Sequence, residues 1–159
     1  MTLVNFNNLD DAEKTAALRH CCGSQAWVHK MLAGFPYPDE SSLLAAASHN
    51  WRQCRPADWL EAFGHHPKIG AATADRTAAA EQSGAATATT DILQRLATGN
   101  KQYEQKFGYI YIVCATGKSA PEMLASLESR LGNDPDTELH TAMAEQEKIT
   151  LLRLQKLLA

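Results

Sequence analysis

Only one segment of this 159-residue chain has the residue pattern of a β-strand. The run Tyr109 to Cys114 is rich in β-branched and aromatic side chains and stands between Gly108 and Gly117. A strand needs a neighbour to pair with, and the sequence offers no second candidate. We therefore predict an extended, buried connection over residues 109–115 in a protein without a β-sheet. Its backbone N–H and C=O groups then need other partners, which a planar polar ligand, or loops and water, could supply.

The rest of the chain has the residue spacing of α-helices, with apolar residues three and four positions apart. The fold class predicted from this spacing is all-α: a compact single-domain bundle of about eight helices over residues 1–159. One of these predicted helices is short and lies around Ala78–Ala86. Several helices are predicted to begin at residues whose side chains can accept a backbone N–H: Asn8, Ser24, Asp39 and Ser119.

Charge and hydropathy exclude several classes of function. A net charge of -3 and the absence of runs of basic residues show no sign of the charge pattern of a nucleic-acid-binding protein. The longest apolar run, Leu43 to Ala47, is too short to cross a membrane, and Met1–Asn5 lacks the basic and apolar regions of a signal peptide. Four cysteines without C-x-x-C spacing indicate reduced thiols. We predict a cytoplasmic protein that binds neither nucleic acid nor membrane.

Arg153 lies on the predicted apolar face of the last helix, which is expected to begin at Asp136 or Thr137. Because a guanidinium stays charged, its burial requires an acidic partner or an acidic ligand. An arginine reaching solvent from the rim of a core helix fits the pattern equally well. The apolar residues predicted to be buried on this face are Leu139, Met143, Ile149 and Leu157.

Two other segments could complete an acid–base site. His66 precedes Pro67, which restricts the chain to an extended conformation at the histidine. Glu81 and Gln82 stand in an otherwise alanine-rich predicted helix. A histidine, a carboxylate and a buried arginine can move protons and bind an anion without a metal. Taken singly, the histidine and the glutamate are more often ordinary structural or solvated residues.

The best set of metal ligands is Asp58, Glu61 and His65, which share one helical face. Such a stripe is more often simply solvated. The sequence contains no H-x-x-x-H or H-E-x-x-H motif and no phosphate-binding glycine-rich loop. We therefore predict no metal and no organic cofactor. A metal-dependent hydrolase and a non-catalytic helical interaction module remain as alternatives.

Several motifs, taken in order, resemble the 2-oxo-4-hydroxy-4-carboxy-5-ureidoimidazoline (OHCU) decarboxylase family. Each motif is weak alone, but the ordered set is specific and covers essentially the whole chain. The motifs are HPKIG at 66–70, EQ at 81–82, N-x-x-Y at 100–103, FGY to CA over 107–115, RLGND at 130–134 and E-x-x-x-A-x-x-E-x-x-K-I-x-x-x-R-L at 138–154.

The resemblance implies an all-helical, usually dimeric carboxy-lyase that converts OHCU to (S)-allantoin in urate breakdown without a cofactor. It implies catalytic roles for His66, Glu81 and Arg153. The expected partners are a small ureidoimidazoline substrate and a second copy of the chain. Within this resemblance, the rival hydrolase would be a metal-dependent enzyme acting on ureides. The residues implied to bind the substrate are Pro67, Gln82, Ile110, Tyr111, Ile112, Val113 and Cys114.

Two positions depart from the family pattern. Ala78 stands where the family commonly has a serine that contacts the ligand, so this contact is expected to be lost or replaced by water. Phe35 stands where an arginine commonly precedes the pair Pro36–Tyr37, and it is expected to affect packing more than chemistry. Neither position belongs to the histidine, glutamate and arginine set, so activity is expected to survive.

Overall fold

The structure is a computed structural model that describes residues 1–67 and 89–159. Within these ranges it is helical and contains no β-strand, which confirms the predicted all-α fold. The predicted helix around Ala78–Ala86, and Ala78 itself, lie outside the described residues. The eight helices of the described chain are α1 (Leu3–Asn8), α2 (Asp11–Cys21), α3 (Gln25–Leu32), α4 (Glu40–Arg52), α5 (Pro56–Phe63), α6 (Thr90–Phe107), α7 (Ala120–Arg130) and α8 (Pro135–Leu157).

Three of the predicted helix caps are confirmed. Ser24, Asp39 and Ser119 each accept the backbone N–H of the residue three positions later. These bonds satisfy N–H groups that have no partner inside their own helix. Across both described stretches, no helix is both long enough and apolar enough to cross a membrane.

Two predicted helix starts are wrong. Asn8 ends α1 rather than capping a helix, and Asp10 caps α2 instead. The Asp10 carboxylate accepts the Glu13 N–H at 2.8 Å while the Glu13 carboxylate accepts the Asp10 N–H at 3.2 Å, so two N–H groups are satisfied reciprocally. The last helix begins at Pro135, because the Asp134 carboxylate accepts a backbone N–H of its first turn.

The described chain divides into two compact units. Unit 1 comprises Met1–Ala62 and Gln146–Ala159, and unit 2 comprises Phe63–Glu145. In unit 1 the indole N–H of buried Trp27 donates to the Ala47 carbonyl at 3.0 Å, so a large apolar side chain is buried without stranding its donor.

Phe35 is a packing residue of unit 1. Its ring meets the rings of Phe6 and Tyr37 edge-on, at centroid distances of 5.1 and 4.8 Å. The Lys14 ammonium lies 4.8 Å from the Phe35 ring centre. Aromatic edge contacts and a cation over the ring face both favour this position for an aromatic side chain. The expectation that Phe35 acts through packing agrees with these contacts.

Unit 2 is built around α6, α7 and the segment that connects them. Gly99 of α6 faces Leu127 of α7, and a Cβ atom added at Gly99 would lie 2.6 Å from the Leu127 Cδ2 atom. A side chain at position 99 would therefore require the Leu127 side chain to shift. Gly108 ends α6 with a φ of 84°, in the left-handed conformation that glycine adopts without strain.

The four cysteines, at positions 21, 22, 54 and 114, are free and buried. Burial raises the pKa of the Cys22 thiol to about 12 and that of Cys54 to about 11. Because the thiolate is the reactive form, these two side chains are poor nucleophiles at neutral pH. They belong to the core of unit 1 rather than to a catalytic centre.

Candidate active site

Residues 109–115 form the extended connection that the sequence predicted, and its stretch from Tyr111 to Ala115 is buried. Two of its backbone groups are satisfied by side chains. The Ile112 carbonyl accepts the Arg130 Nη1–H at 2.7 Å, and the Cys114 N–H donates to the Glu145 carboxylate at 3.2 Å. Side chains of α7 and α8 therefore do part of what the sequence analysis assigned to a ligand, loops or water.

The Arg130 guanidinium is anchored to the fully buried carboxylate of Glu138. Arg130 Nε lies 3.0 Å from both carboxylate oxygens, and Nη2 lies 2.7 Å from Oε2. The Tyr103 hydroxyl donates to Oε2 at 2.5 Å, and the Asn133 amide donates to Oε1 at 3.1 Å. A buried ion pair is tolerated only when its remaining polar atoms have partners, and here both carboxylate oxygens have them.

The side chains of Arg130 and Tyr103 keep their ordinary protonation states. Burial alone would lower the pKa of Arg130, but the hydrogen bonds to Glu138 and its charge outweigh burial, so the pKa is raised. Burial raises the pKa of Tyr103, and the hydrogen bond to Glu138 raises it further. The arginine therefore stays charged and the tyrosine stays protonated. This cluster holds structure in place and is not suited to proton transfer.

The apolar spacing of the last helix predicted Arg153 as the buried arginine, whereas among the described residues the buried arginine is Arg130. Arg130 is 7% exposed, and Arg153 is half-buried. A signal for Arg130 was present, since it and Glu138 both stand in the family motifs. The pattern of apolar residues could not reveal it, because its partner is another charged residue.

The prediction of which face of α8 is buried is also wrong. Ile149 is buried as predicted, but the other three predicted positions, Leu139, Met143 and Leu157, are only half-buried. Polar side chains occupy much of the buried face, and apolar spacing alone misses them. The buried residues of α8 are Glu138, Ala142, Glu145, Gln146, Ile149, Thr150 and Leu154.

His66 and Pro67 follow α5 in a turn, in which the His66 N–H donates to the Phe63 carbonyl at 3.3 Å. Both residues are half-buried and belong to unit 2. The Phe63 ring packs on the Tyr109 ring, with centroids 5.2 Å apart, so the end of α5 contacts the start of the extended connection. Two of the predicted site segments therefore lie in one compact unit.

The described structure does not test the places of the other predicted catalytic residues in the site. Glu81 and Gln82 lie outside the described residues, and Arg153 belongs to unit 1. Arg153 Nη1 donates to the His20 carbonyl at 3.3 Å. Unit 1 also has a cleft of about 460 Å³ that contains none of the predicted site residues; it is lined by Thr15, Arg19, Gln25, Ala26, Val28, His29 and Leu32.

The metal ligand set considered from the sequence is not formed. Among residues 1–67 and 89–159, no three histidine, cysteine or acidic side chains are grouped so that they could hold a metal ion. The Asp58 carboxylate accepts the Arg55 N–H at 2.9 Å, and the Glu61 carboxylate accepts the Gln25 N–H at 2.9 Å. Both acids are therefore engaged by backbone N–H groups, and His65 lies beyond the end of α5, so the three residues do not share one helical face.

The chain matches a family model described as OHCU decarboxylase over residues 7–155. It is 40% identical over 145 residues to the uric acid degradation bifunctional protein TTL of Arabidopsis thaliana, covering 86% of this chain and 45% of that protein. It is 32% identical over 117 residues to the 2-oxo-4-hydroxy-4-carboxy-5-ureidoimidazoline decarboxylase of Amia calva, covering 74% and 65% respectively. The chain thus spans less than two thirds of the length of these two relatives.

The fold is similar to that of a crystal structure of OHCU decarboxylase in the presence of (S)-allantoin. The TM-score is 0.82 at 39% sequence identity, and the similarity covers 94% of this chain and 99% of that one. A second crystal structure, of (S)-allantoin synthase, has a TM-score of 0.76 at 21% identity and supports the fold alone.

Proposed function

Because the chain belongs to the OHCU decarboxylase family, we propose that it converts OHCU to (S)-allantoin with release of carbon dioxide, as a carboxy-lyase of urate degradation. The observation that carries this proposal is the extent of the family match, which runs over residues 7–155. The placement of His66, Pro67 and the extended connection in one unit supports it, since these are the segments proposed to meet the substrate.

The substrate supplies its own electron sink in this reaction. OHCU carries a carboxylate and a hydroxyl on one ring carbon beside a C=N bond. When the carboxylate leaves as carbon dioxide, the electron pair of the broken C–C bond flows into the C=N bond. The enzyme then has to take the hydroxyl proton, balance the developing charge and deliver a proton to one face of the neighbouring carbon. Delivery to one face gives a single enantiomer of allantoin.

We assign the proton transfers to His66, because an imidazole can accept and return a proton near neutral pH. Glu81 is proposed to orient this imidazole or to bind the ring and ureido N–H groups. Arg153 is proposed to pair with an anionic or carbonyl oxygen of the substrate, for which a planar guanidinium is well shaped. Recognition of the urea-like ring is completed by Pro67, Gln82 and the backbone of residues 110–114.

We further propose that the chain works as a homodimer in the cytoplasm, as one domain over residues 1–159. The family resemblance supports the dimer, and the four free cysteines support a reducing compartment. Sedimentation of the purified protein tests the dimer, and a monomer at the concentration of the assay would contradict it.

The proposed function is tested by generating the unstable substrate, OHCU, within the assay mixture. Urate is oxidised by the preceding enzymes of the pathway, and optically active allantoin is followed by circular dichroism with and without this protein. We expect the protein to accelerate formation of the (S) enantiomer. Formation of racemic allantoin at an unchanged rate would contradict the proposed function.

Turnover is expected to be unchanged after exhaustive treatment with a strong chelator, because Arg153 is proposed to supply the positive charge that a metal ion would otherwise provide. The chelator is removed before the preceding enzymes are added, so that only this protein is depleted. Loss of activity that a divalent cation restores would favour the metal-dependent ureide hydrolase instead.

Arg153→Lys is expected to lower turnover by roughly two orders of magnitude, the scale of removing one preorganised donor from developing charge. Lysine keeps the charge but not the planar fork of donors. The melting temperature is expected to move little, because the side chain is only half-buried. Turnover and thermal unfolding are measured on the same preparation.

Arg95→Lys is the matched control, since Arg95 makes an exposed ion pair with Glu128 at 2.6 Å. We expect it to keep both activity and melting temperature. Arg153→Met should also abolish most turnover without a large loss of stability. If the Arg153 variants melt far below the wild type while their folded fraction keeps full specific activity, Arg153 is structural and its assignment to the site is wrong.

A further inference from the structure

We propose that Arg130 is a positioning residue for decarboxylation: anchored by Glu138, it fixes the backbone of the extended connection in the position in which this segment is proposed to bind the substrate. The inference rests on the proposed function, because substrate binding is what gives the position of residues 110–114 a chemical purpose. Arg130 itself is not assigned any contact with the substrate.

The anchor fixes the orientation of the Arg130 guanidinium and therefore the position of its Nη1 donor. The Nε and Nη2 atoms are bound to the Glu138 carboxylate at 3.0 and 2.7 Å, while Nη1 donates to the Ile112 carbonyl at 2.7 Å. A guanidinium is planar and rigid, so fixing two of its nitrogens aims the third. Glu138 is in turn held by the Tyr103 hydroxyl and the Asn133 amide. The Ile112 carbonyl is therefore placed by a chain of buried, oriented groups.

The contact with the connection extends to a second residue. The Arg130 Cζ atom lies 4.7 Å from the centre of the Tyr111 ring, and the Tyr111 hydroxyl donates to the Met123 carbonyl at 3.2 Å. A guanidinium at this distance from an aromatic ring is attracted to it. Arg130 therefore contacts the Tyr111 side chain and the Ile112 backbone, which are consecutive residues of the connection.

A second backbone group of the connection is also held by a side chain. The Cys114 N–H donates to the Glu145 carboxylate at 3.2 Å, two residues after the Ile112 carbonyl that Arg130 binds. Side chains of α7 and α8 therefore hold this backbone at two points.

A purely structural role explains this arrangement less well. Apolar side chains of similar volume can often replace a buried ion pair with little loss of stability. They could not present a donor to an irregular backbone segment, which has no strand beside it in the described structure. The specific contribution of Arg130 is thus a hydrogen-bond donor, Nη1, that is held in a fixed direction toward the Ile112 carbonyl.

Arg130→Lys separates positioning from charge. The lysine ammonium can still pair with Glu138, but it cannot hold Ile112 in the same fixed geometry. We expect KM for OHCU to rise about tenfold, the scale of one lost hydrogen bond, while kcat falls less. The pH profile, which depends on His66, is expected to stay as in the wild type. Arg95→Lys, in the same unit, is the control and should keep the wild-type KM.

Partial unfolding does not obscure this test, because KM does not depend on how much of the enzyme is folded. Glu138→Gln is the second variant: it keeps the volume and loosens the anchor, so KM should rise in the same direction. A wild-type KM in both variants, with kcat falling only in proportion to the folded fraction, overturns the positioning role and leaves the proposed function intact. An inactive wild-type protein overturns both.

Discussion

His66→Gln is expected to slow OHCU decarboxylation by about two to four orders of magnitude, the contribution of a well-placed acid–base group. Glutamine has a similar reach and can form hydrogen bonds, but it cannot take up or release a proton at neutral pH. Because His66 is only half-buried in a turn after α5, the substitution should leave the fold intact. The rate of (S)-allantoin formation and the melting temperature are measured together.

His65 offers a control one position away. It precedes His66 in the same turn and is exposed, so His65→Gln tests the loss of an imidazole without loss of the proposed proton transfer. We expect His65→Gln to retain nearly the wild-type rate. Equal losses in the two variants would mean that the turn, rather than the His66 proton, matters, and a folded His66→Gln variant with nearly full activity would remove His66 from the mechanism.

Glu138→Leu is expected to lower the free energy of unfolding by about 3–5 kcal/mol, because it strands the charge of buried Arg130. This is a large fraction of the about 5–15 kcal/mol that stabilises a typical domain. The Tyr103 hydroxyl and the Asn133 amide lose an acceptor at the same time. Chemical denaturation monitored by far-UV circular dichroism measures the loss.

A double variant shows whether the stranded charge is the cause. Arg130→Met combined with Glu138→Leu removes both charges, and we expect it to be more stable than Glu138→Leu alone. Arg95→Met breaks an exposed ion pair, with side chains 53% and 49% exposed, and should cost less than about 1 kcal/mol. If the double variant is as unstable as the sum of its single variants, the ion pair is not the source of the effect.

Features set by local chemistry could be predicted from the sequence. The all-α fold follows from helical spacing combined with a single β-like segment that has nothing to pair with. Ser24, Asp39 and Ser119 were identified as caps because a cap needs only a short polar side chain and the next turn of backbone. The order of family motifs identified the family even though each motif alone is weak.

Features set by tertiary partners could not be predicted. Arg130 was missed as the buried arginine because its burial depends on Glu138 and Tyr103, which meet it only in the folded unit. For the same reason the buried face of α8 was predicted incorrectly, because a hydropathy pattern does not identify the polar side chains that are buried on it. The site is predictable to the extent that the family motifs identify it: His66 and the connection lie in one unit, while the catalytic roles of His66, Glu81 and Arg153 remain predictions.

The missing side chain at Gly99 has a consequence for how sequences of this fold can diverge. A methyl group there would require the fully buried Leu127 side chain to shift, so a change at position 99 is coupled to the residue at position 127. Gly99 and Tyr103 lie one turn apart on α6, so displacing α6 to make room would also move the hydroxyl that holds Glu138. We expect natural variants to keep the glycine or to exchange it for alanine only together with a smaller residue at 127. The two positions are then inherited as a pair.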